Sequence, residues 1–231
     1  MSHHYSPGRS LGVEALESRN LPSNATFAVA IGILKSPEEF NHFVKREYEH
    51  LLLRAPDSGG LTHFVTELQN GTTRETVEAE LASSQEYAII KGTTLSSYVT
   101  NLYVDLLGRN PNSIELNFWV TALSRGTSPF TVAKKIGTSL EHDVQLIQSN
   151  YQEFLGRSAS PSELFSWLTK FLNGADRTKV EASIVASDEF FADANRDPST
   201  FIIHIYQDVF VRTPVQTEVT FWLNVYNQNN H

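Results

Sequence analysis

Apolar residues recur along this chain in a register that appears four times. Val44/Tyr48/Leu51/Leu52, Val99/Tyr103/Leu106/Leu107, Ile147/Tyr151/Phe154/Leu155 and Ile202/Tyr206/Val209/Phe210 all show gaps of four, three and one. Those gaps put four side chains on one face of a helix with 3.6 residues per turn. Residues 201–211 taken alone have the β-branched and aromatic content of a strand, but the shared register predicts a helix there too. Two residues beyond each set stands an arginine: Arg54, Arg109, Arg157 and Arg212. Ten residues after each arginine comes an aromatic: Phe64, Trp119, Trp167 and Trp222, which uses all three tryptophans of the chain. The arginines are 55, 48 and 55 residues apart, so the unit is about 50 residues long.

Polar punctuation divides each unit into helices. Asp57, Asn112 and Ser160 sit at one offset and are preferred N-caps, and Glu115 and Glu163 follow at capping-box spacing. Pro161 occupies a first helical position, where no N–H is needed. In the fourth unit Glu218 is kept while Val215 replaces the cap. Leu116/Trp119/Val120/Leu123 and Leu164/Trp167/Leu168/Phe171 form the apolar stripes of the second helices. Gly71, Gly126 and Gly174 predict left-handed C-caps. Thr73, Ser128 and Asp176 then predict a third helix, running through Val77, Val132 and Val180. Ser84, Ser139 and Ser187 start a short linking helix. The expected architecture is all-α: three and a half tandem helical repeats packed as one array over 36–231, with units of about 36–93, 94–143, 144–197 and 198–231. The fourth unit has no third helix before His231 and reads as a terminal cap.

Residues 1–35 stand outside the pattern and read as an export-like or flexible segment. His3 and His4 are too few for a purification tag, and Pro7-Gly8 reads as a turn. Ala25–Leu34 is apolar over a length suited to a signal-peptide core, but Glu14 and Glu17 flank it as well as Arg9 and Arg19. The same stretch suits the first buried segment of the folded domain.

Tyr103-Val-Asp-Leu-Leu-Gly-Arg-Asn-Pro111, Glu115-Leu-Asn-Phe-Trp119 and Leu123-Ser-Arg-Gly126 together resemble the bacterial domain of unknown function 4214. Tyr151 to Arg157, Trp167 and Ser187-Asp-Glu-Phe190 repeat the match, and Tyr206 to Trp222 repeats it in part. The first unit departs from it, with Leu53 in place of glycine and Phe64 in place of tryptophan. The resemblance implies an all-helical module, often in tandem and often in secreted or cell-surface proteins, with no established activity. It extends distantly to the helical linker domain of phycobilisomes, from which no pigment partner follows. Val13 to Ser23 is similar to a short Leu-Glu-Pro-Arg-x-Leu-Leu motif near the start of many large bacterial surface and exported proteins. Here Ser18 replaces its proline and Pro22 its second leucine. A secreted or cell-surface location is therefore favoured over a cytoplasmic one.

Composition narrows the chemistry. The chain carries a formal net charge of −8 and no cysteine. That disfavours a nucleic-acid binder and removes disulfides, thiolate metal sites and thiol nucleophiles. No apolar run reaches the length of a membrane span. The arginines suit helix C-termini, with Glu115, Glu163 and Glu218 as ion-pair partners, better than a ladder of anion contacts. The tyrosines and tryptophans suit core packing better than carbohydrate stacking. No histidine recurs at a shared offset or pairs at metal-ligand spacing, and no nucleophile elbow, phosphate loop or calcium loop is present. Asn24-Ala-Thr26 and Asn70-Gly-Thr72 match glycosylation sequons.

The expectation is a non-catalytic interaction or scaffold module without metal or cofactor, whose partner is a protein or a surface glycan. Tyr48, Arg54, Tyr103, Arg109, Trp119, Tyr151, Arg157, Tyr206, Arg212, Trp167 and Trp222 are its structural anchors. Two alternatives stay open: a glycan-binding surface module, and an enzyme with a site at a repeat boundary built from His42, His50, His63 and Asp57.

Overall fold

A computed structural model describes residues 23–230; the readings made on 1–22, including the export-like motif, lie outside the described residues. The described residues form fourteen α-helices and no strand. In chain order these are α1 (Asn24–Leu34), α2 (Pro37–Leu52), α3 (Ser58–Gln69), α4 (Arg74–Ala82), α5 (Gln85–Lys91), α6 (Leu95–Leu107) and α7 (Ser113–Ser124). They continue with α8 (Pro129–Gly137), α9 (Leu140–Leu155), α10 (Pro161–Leu172), α11 (Arg177–Val185), α12 (Asp188–Asp193), α13 (Pro198–Phe210) and α14 (Gln216–Asn229). The chain is all-α and built of tandem helical units.

The predicted caps of the second helices form. Asp57 Oδ1 accepts from Gly60 N at 2.8 Å, and Asn112–Glu115 and Ser160–Glu163 close full capping boxes. In the fourth unit Val215 supplies no cap, but Glu218 still accepts from Val215 N at 2.8 Å. Gly71, Gly126 and Gly174 have φ of 98°, 94° and 82°, the left-handed turn that ends each second helix. Thr73 departs from expectation: its hydroxyl meets Thr76 and Lys134 and makes no cap bond to α4.

The uneven spacing of the arginines has a structural cause. Between Arg54 and Arg109, linking helix α5 and first helix α6 are separate; α12 and α13 repeat this between Arg157 and Arg212. Between Arg109 and Arg157 the linker and first helix run together as the 16-residue α9, capped by Ser139. The 16-residue α2, capped by Ser36, has the same fused form. Arg54 and Arg157 are thus equivalent at 103 residues, as are Arg109 and Arg212. The repeat is a duplicated pair of units, one fused and one split. At the α5–α6 break, a Cβ on Gly92 would lie 2.5 Å from Tyr98 N, so a larger residue would push this corner apart.

The helices divide into two compact bodies. One spans Gly32–Glu181. Its core joins Val44, Leu51, Val77, Tyr87, Val99, Leu102, Val132 and Ile136, with the most extensive helix contact between α4 and α8. The other joins the described residues up to Ile31 with those from Ala182 onward. Its core includes Val29, Ala30, Phe190, Phe201, Ile202, Ile205 and Tyr226, and Phe201 meets Phe190 and Phe191 edge-on at 5.8 and 5.5 Å. Residues 24–34 form a helix in which Val29, Ala30, Ile33 and Leu34 are fully buried.

Candidate functional site

Each first helix delivers a buried tyrosine and, one residue past its left-handed end, an arginine. Tyr48, Tyr103, Tyr151 and Tyr206 are all buried, and Arg54, Arg109, Arg157 and Arg212 lie 5.2, 5.2, 5.0 and 4.9 Å from the ring centroids. Arg109, Arg157 and Arg212 grip the glutamate six residues on in paired bonds of 2.7–3.0 Å. Their guanidinium groups also reach the carbonyl of the next residue in the turn. The contact is with this turn carbonyl, because the backbone N–H of each arginine already closes onto the tyrosine carbonyl. The pairing holds the Glu115 and Glu163 carboxyls down to about 2.

The tryptophans complete the cluster from the second helices. Trp119, Trp167 and Trp222 donate their indole N–H to Tyr103, Tyr151 and Tyr206 Oη at 3.0, 2.9 and 2.9 Å. All three are half-buried; for Trp119 and Trp167 this follows from α7 and α10, which lie over the first helices and bury no residue fully. The first unit solves the contact differently. With Phe64 unable to donate, the Tyr48 hydroxyl rests over Gly60, which stands where the other units have glutamate, and Arg54 pairs with Glu86 at 2.8 Å. Arg109 also takes the equivalent Glu141. The anchors form four closed sets of polar contacts.

The unrepeated histidines do not gather. His50 is exposed and bonds the Asp105 carbonyl at 3.0 Å, exposed His63 stacks edge-on to Phe64, and exposed Asp57 is occupied in capping α3. Among the described residues no group of His, Asp or Glu could hold a metal ion, and no helix is long and apolar enough to cross a membrane.

Two features were not read from the sequence. The first is a cavity of about 400 Å³ between the turns at 71–75 and 174–178, lined by Lys35, Arg74, Glu75, Lys134, Asp176 and Arg177 among others. Arg74 and Arg177 are equivalents in the duplicated pair, and each reaches inward. Arg74 pairs with Glu39 at 3.2 Å and Glu181 at 3.1 Å, and Arg177 Nε donates to Asp143 at 2.7 Å. Burial raises the carboxyls of Glu39, Glu47 and Glu181, and burial with the neighbouring Glu47 carboxylate pushes Glu78 up to about 8. Glu39 Oε2, Glu47 Oε2, Arg74 Nε and His142 Nδ1 are buried without a hydrogen-bond partner. The cavity cations are thus largely matched by the protein's own carboxylates. The second feature is outward apolar surface on the second helices: Ile114 and Phe118 on α7, and Phe165 and Leu172 on α10, are 80, 61, 74 and 80% exposed. On α14, Phe221 is 57% exposed and packs edge-on to Trp222 at 4.9 Å.

The family described as Domain of unknown function (DUF4214) matches this chain three times, at residues 36–90, 83–143 and 131–194. The chain belongs to that family. No curated protein and no solved structure matches it.

Proposed function

We propose that the chain is a non-catalytic helical interaction module that docks a protein partner on the outer faces of its second helices. One observation carries this reading. Helices α7 and α10 bury no residue, yet present Ile114, Phe118, Phe165 and Leu172 to solvent. Apolar side chains of that size, left outward on helices with polar neighbours, mark surfaces that are covered in an assembly. The repeated polar groups offer less to a ligand, since arginine, glutamate, tyrosine and indole N–H saturate one another.

Carbohydrate stacking is the weaker reading. The indole N–H groups are already donated, and Lys170 Nζ lies 3.9 Å from the Trp167 ring centroid, covering one face of that ring. The exported setting rests on the resemblance of residues 13–23 to the surface-protein motif.

The test is affinity capture from an envelope fraction with the full chain and with a Phe118→Glu/Phe165→Glu variant. The expected outcome is a protein recovered by the native chain and lost by the variant, with circular dichroism unchanged. Equal recovery by both would overturn the docking face. Binding by the native chain to a glycan array, with no protein captured, would favour the carbohydrate reading.

A further inference from the structure

Helix α1 carries the same register as α8. Residues 27–36 read Phe-Ala-Val-Ala-Ile-Gly-Ile-Leu-Lys-Ser, and residues 130–139 read Phe-Thr-Val-Ala-Lys-Lys-Ile-Gly-Thr-Ser. The buried positions coincide: Val29, Ala30 and Ile33 are fully buried, as Val132, Ala133 and Ile136 are within 2%. The exit from each helix coincides too, since Ser36 N donates to Ile33 O at 3.0 Å and Ser139 N to Ile136 O at 3.1 Å. Each of those serines then caps a fused 16-residue helix, α2 or α9. Two segments that share five identities, one burial pattern and one exit geometry are the same structural element.

Helix α8 is the third helix of the second unit, which is of the split type. The fourth unit is the other split unit, and the compact body that contains it also contains the described part of α1 up to Ile31. Within that body Thr26 Oγ1 donates to Ala186 O at 3.1 Å, a buried bond between segments 160 residues apart. We propose that α1 is the third helix of the fourth unit, supplied from the N-terminal side of the chain rather than from the segment after α14. The helix then acts as a strap: Val29 and Ala30, buried in the same compact body as α13 and α14, complete that unit's core.

This assignment goes beyond the docking reading and does not depend on it. It also constrains processing. Removing the chain up to residue 35 would strip a core helix from the fourth unit, so any cleavage that leaves the fold intact falls before Ser23.

The test uses the full chain and reads hydrogen exchange by mass spectrometry, segment by segment. Val29→Ala leaves a cavity in that core, and exchange over 198–229 is expected to accelerate at least tenfold. Val132→Ala, its equivalent on α8, is expected instead to accelerate 74–82 and 95–107, the α4 and α6 segments that α8 packs against. A graft of the α8 sequence onto α1, Ala28→Thr/Ile31→Lys/Gly32→Lys, keeps every shared buried position. It is expected to leave exchange over 198–229 unchanged. Unaltered exchange over 198–229 in Val29→Ala would overturn the assignment, and so would a graft that exposes that segment.

Discussion

Trp119 on α7 donates its indole N–H to Tyr103 on α6 at 3.0 Å, and the Tyr103 ring carries Arg109 on its face at 5.2 Å. One tyrosine thus receives a second helix through its hydroxyl and the turn arginine through its π-system. Tyr103→Phe keeps the ring for Arg109 and removes the acceptor. The expected cost is about 1 kcal/mol, because a half-buried indole N–H loses its partner. Urea unfolding followed by tryptophan fluorescence checks it; an unchanged midpoint would show that water replaces the bond without loss.

The first helices end on a left-handed residue, which is Gly108 and Gly156 in two units but Leu53 and Val211 in the others, at φ of 54° and 53°. A β-branched residue there is strained, and Val211 is 88% exposed, so its side chain has little packing to lose. Val211→Gly is expected to stabilise the chain by about 0.5–1 kcal/mol despite the entropy that glycine adds to the unfolded state. The converse Gly156→Val should destabilise it. A scanning calorimeter separates the two, and a lower melting temperature for Val211→Gly would contradict the strain argument.

The carboxyl of Glu78 is shielded from water beside Glu47, and the charged groups facing it are Glu47, Glu75, Arg177 and Lys134. Its pKa is raised from 4.5 to about 8, so the neutral form is favoured in the fold. Stability from this group is full below about pH 4.5 and is lost as pH rises through about 8. Glu78→Gln should therefore flatten the alkaline decline, with a melting temperature above native at pH 8 and near native at pH 4.5. A steeper decline in the variant would show that the carboxylate is needed ionised.

Glu163 works in the opposite sense. Arg157 holds its carboxyl down to about 2, so its contribution is present above about pH 4.5 and fades as pH falls toward 2. Glu163→Gln is expected to lower the melting temperature at pH 7 and to converge on native near pH 2. Curves that run parallel from pH 7 to pH 2 would rule out the ion pair as the source of acid sensitivity.

Much of this architecture is legible in the sequence because caps and stripes are local. Asn112 with Glu115, Ser160 with Glu163, and the three glycines act within a turn of themselves, so residue type and spacing determine them. Fusion of the linker into α9 was less visible, since nothing breaks the helix between Ser139 and Leu155 except the expectation of a repeat. The half-buried state of Trp119 and Trp167 depends on how far α7 and α10 stand off the core, which no periodicity records. The buried carboxylates were missed because Glu39, Glu78 and Glu181 are charged residues off the repeated apolar register, and such residues ordinarily face solvent. Only convergence of the helices withdraws them from water. A signal existed in the 103-residue offset that pairs Arg74 with Arg177 and Glu78 with Glu181.

The central claim is that the repeated residues build the fold while the outward apolar residues serve an interface. Scanning calorimetry of Arg157→Ala beside Phe165→Glu tests it most directly. Arg157 stacks on Tyr151 and grips Glu163, so its loss should cost about 1–2 kcal/mol, roughly 3–6 °C in melting temperature for a chain of this size. Phe165 is 74% exposed, so Phe165→Glu should melt within about 1 °C of native. A native-like Arg157→Ala together with a strongly destabilised Phe165→Glu would contradict the account.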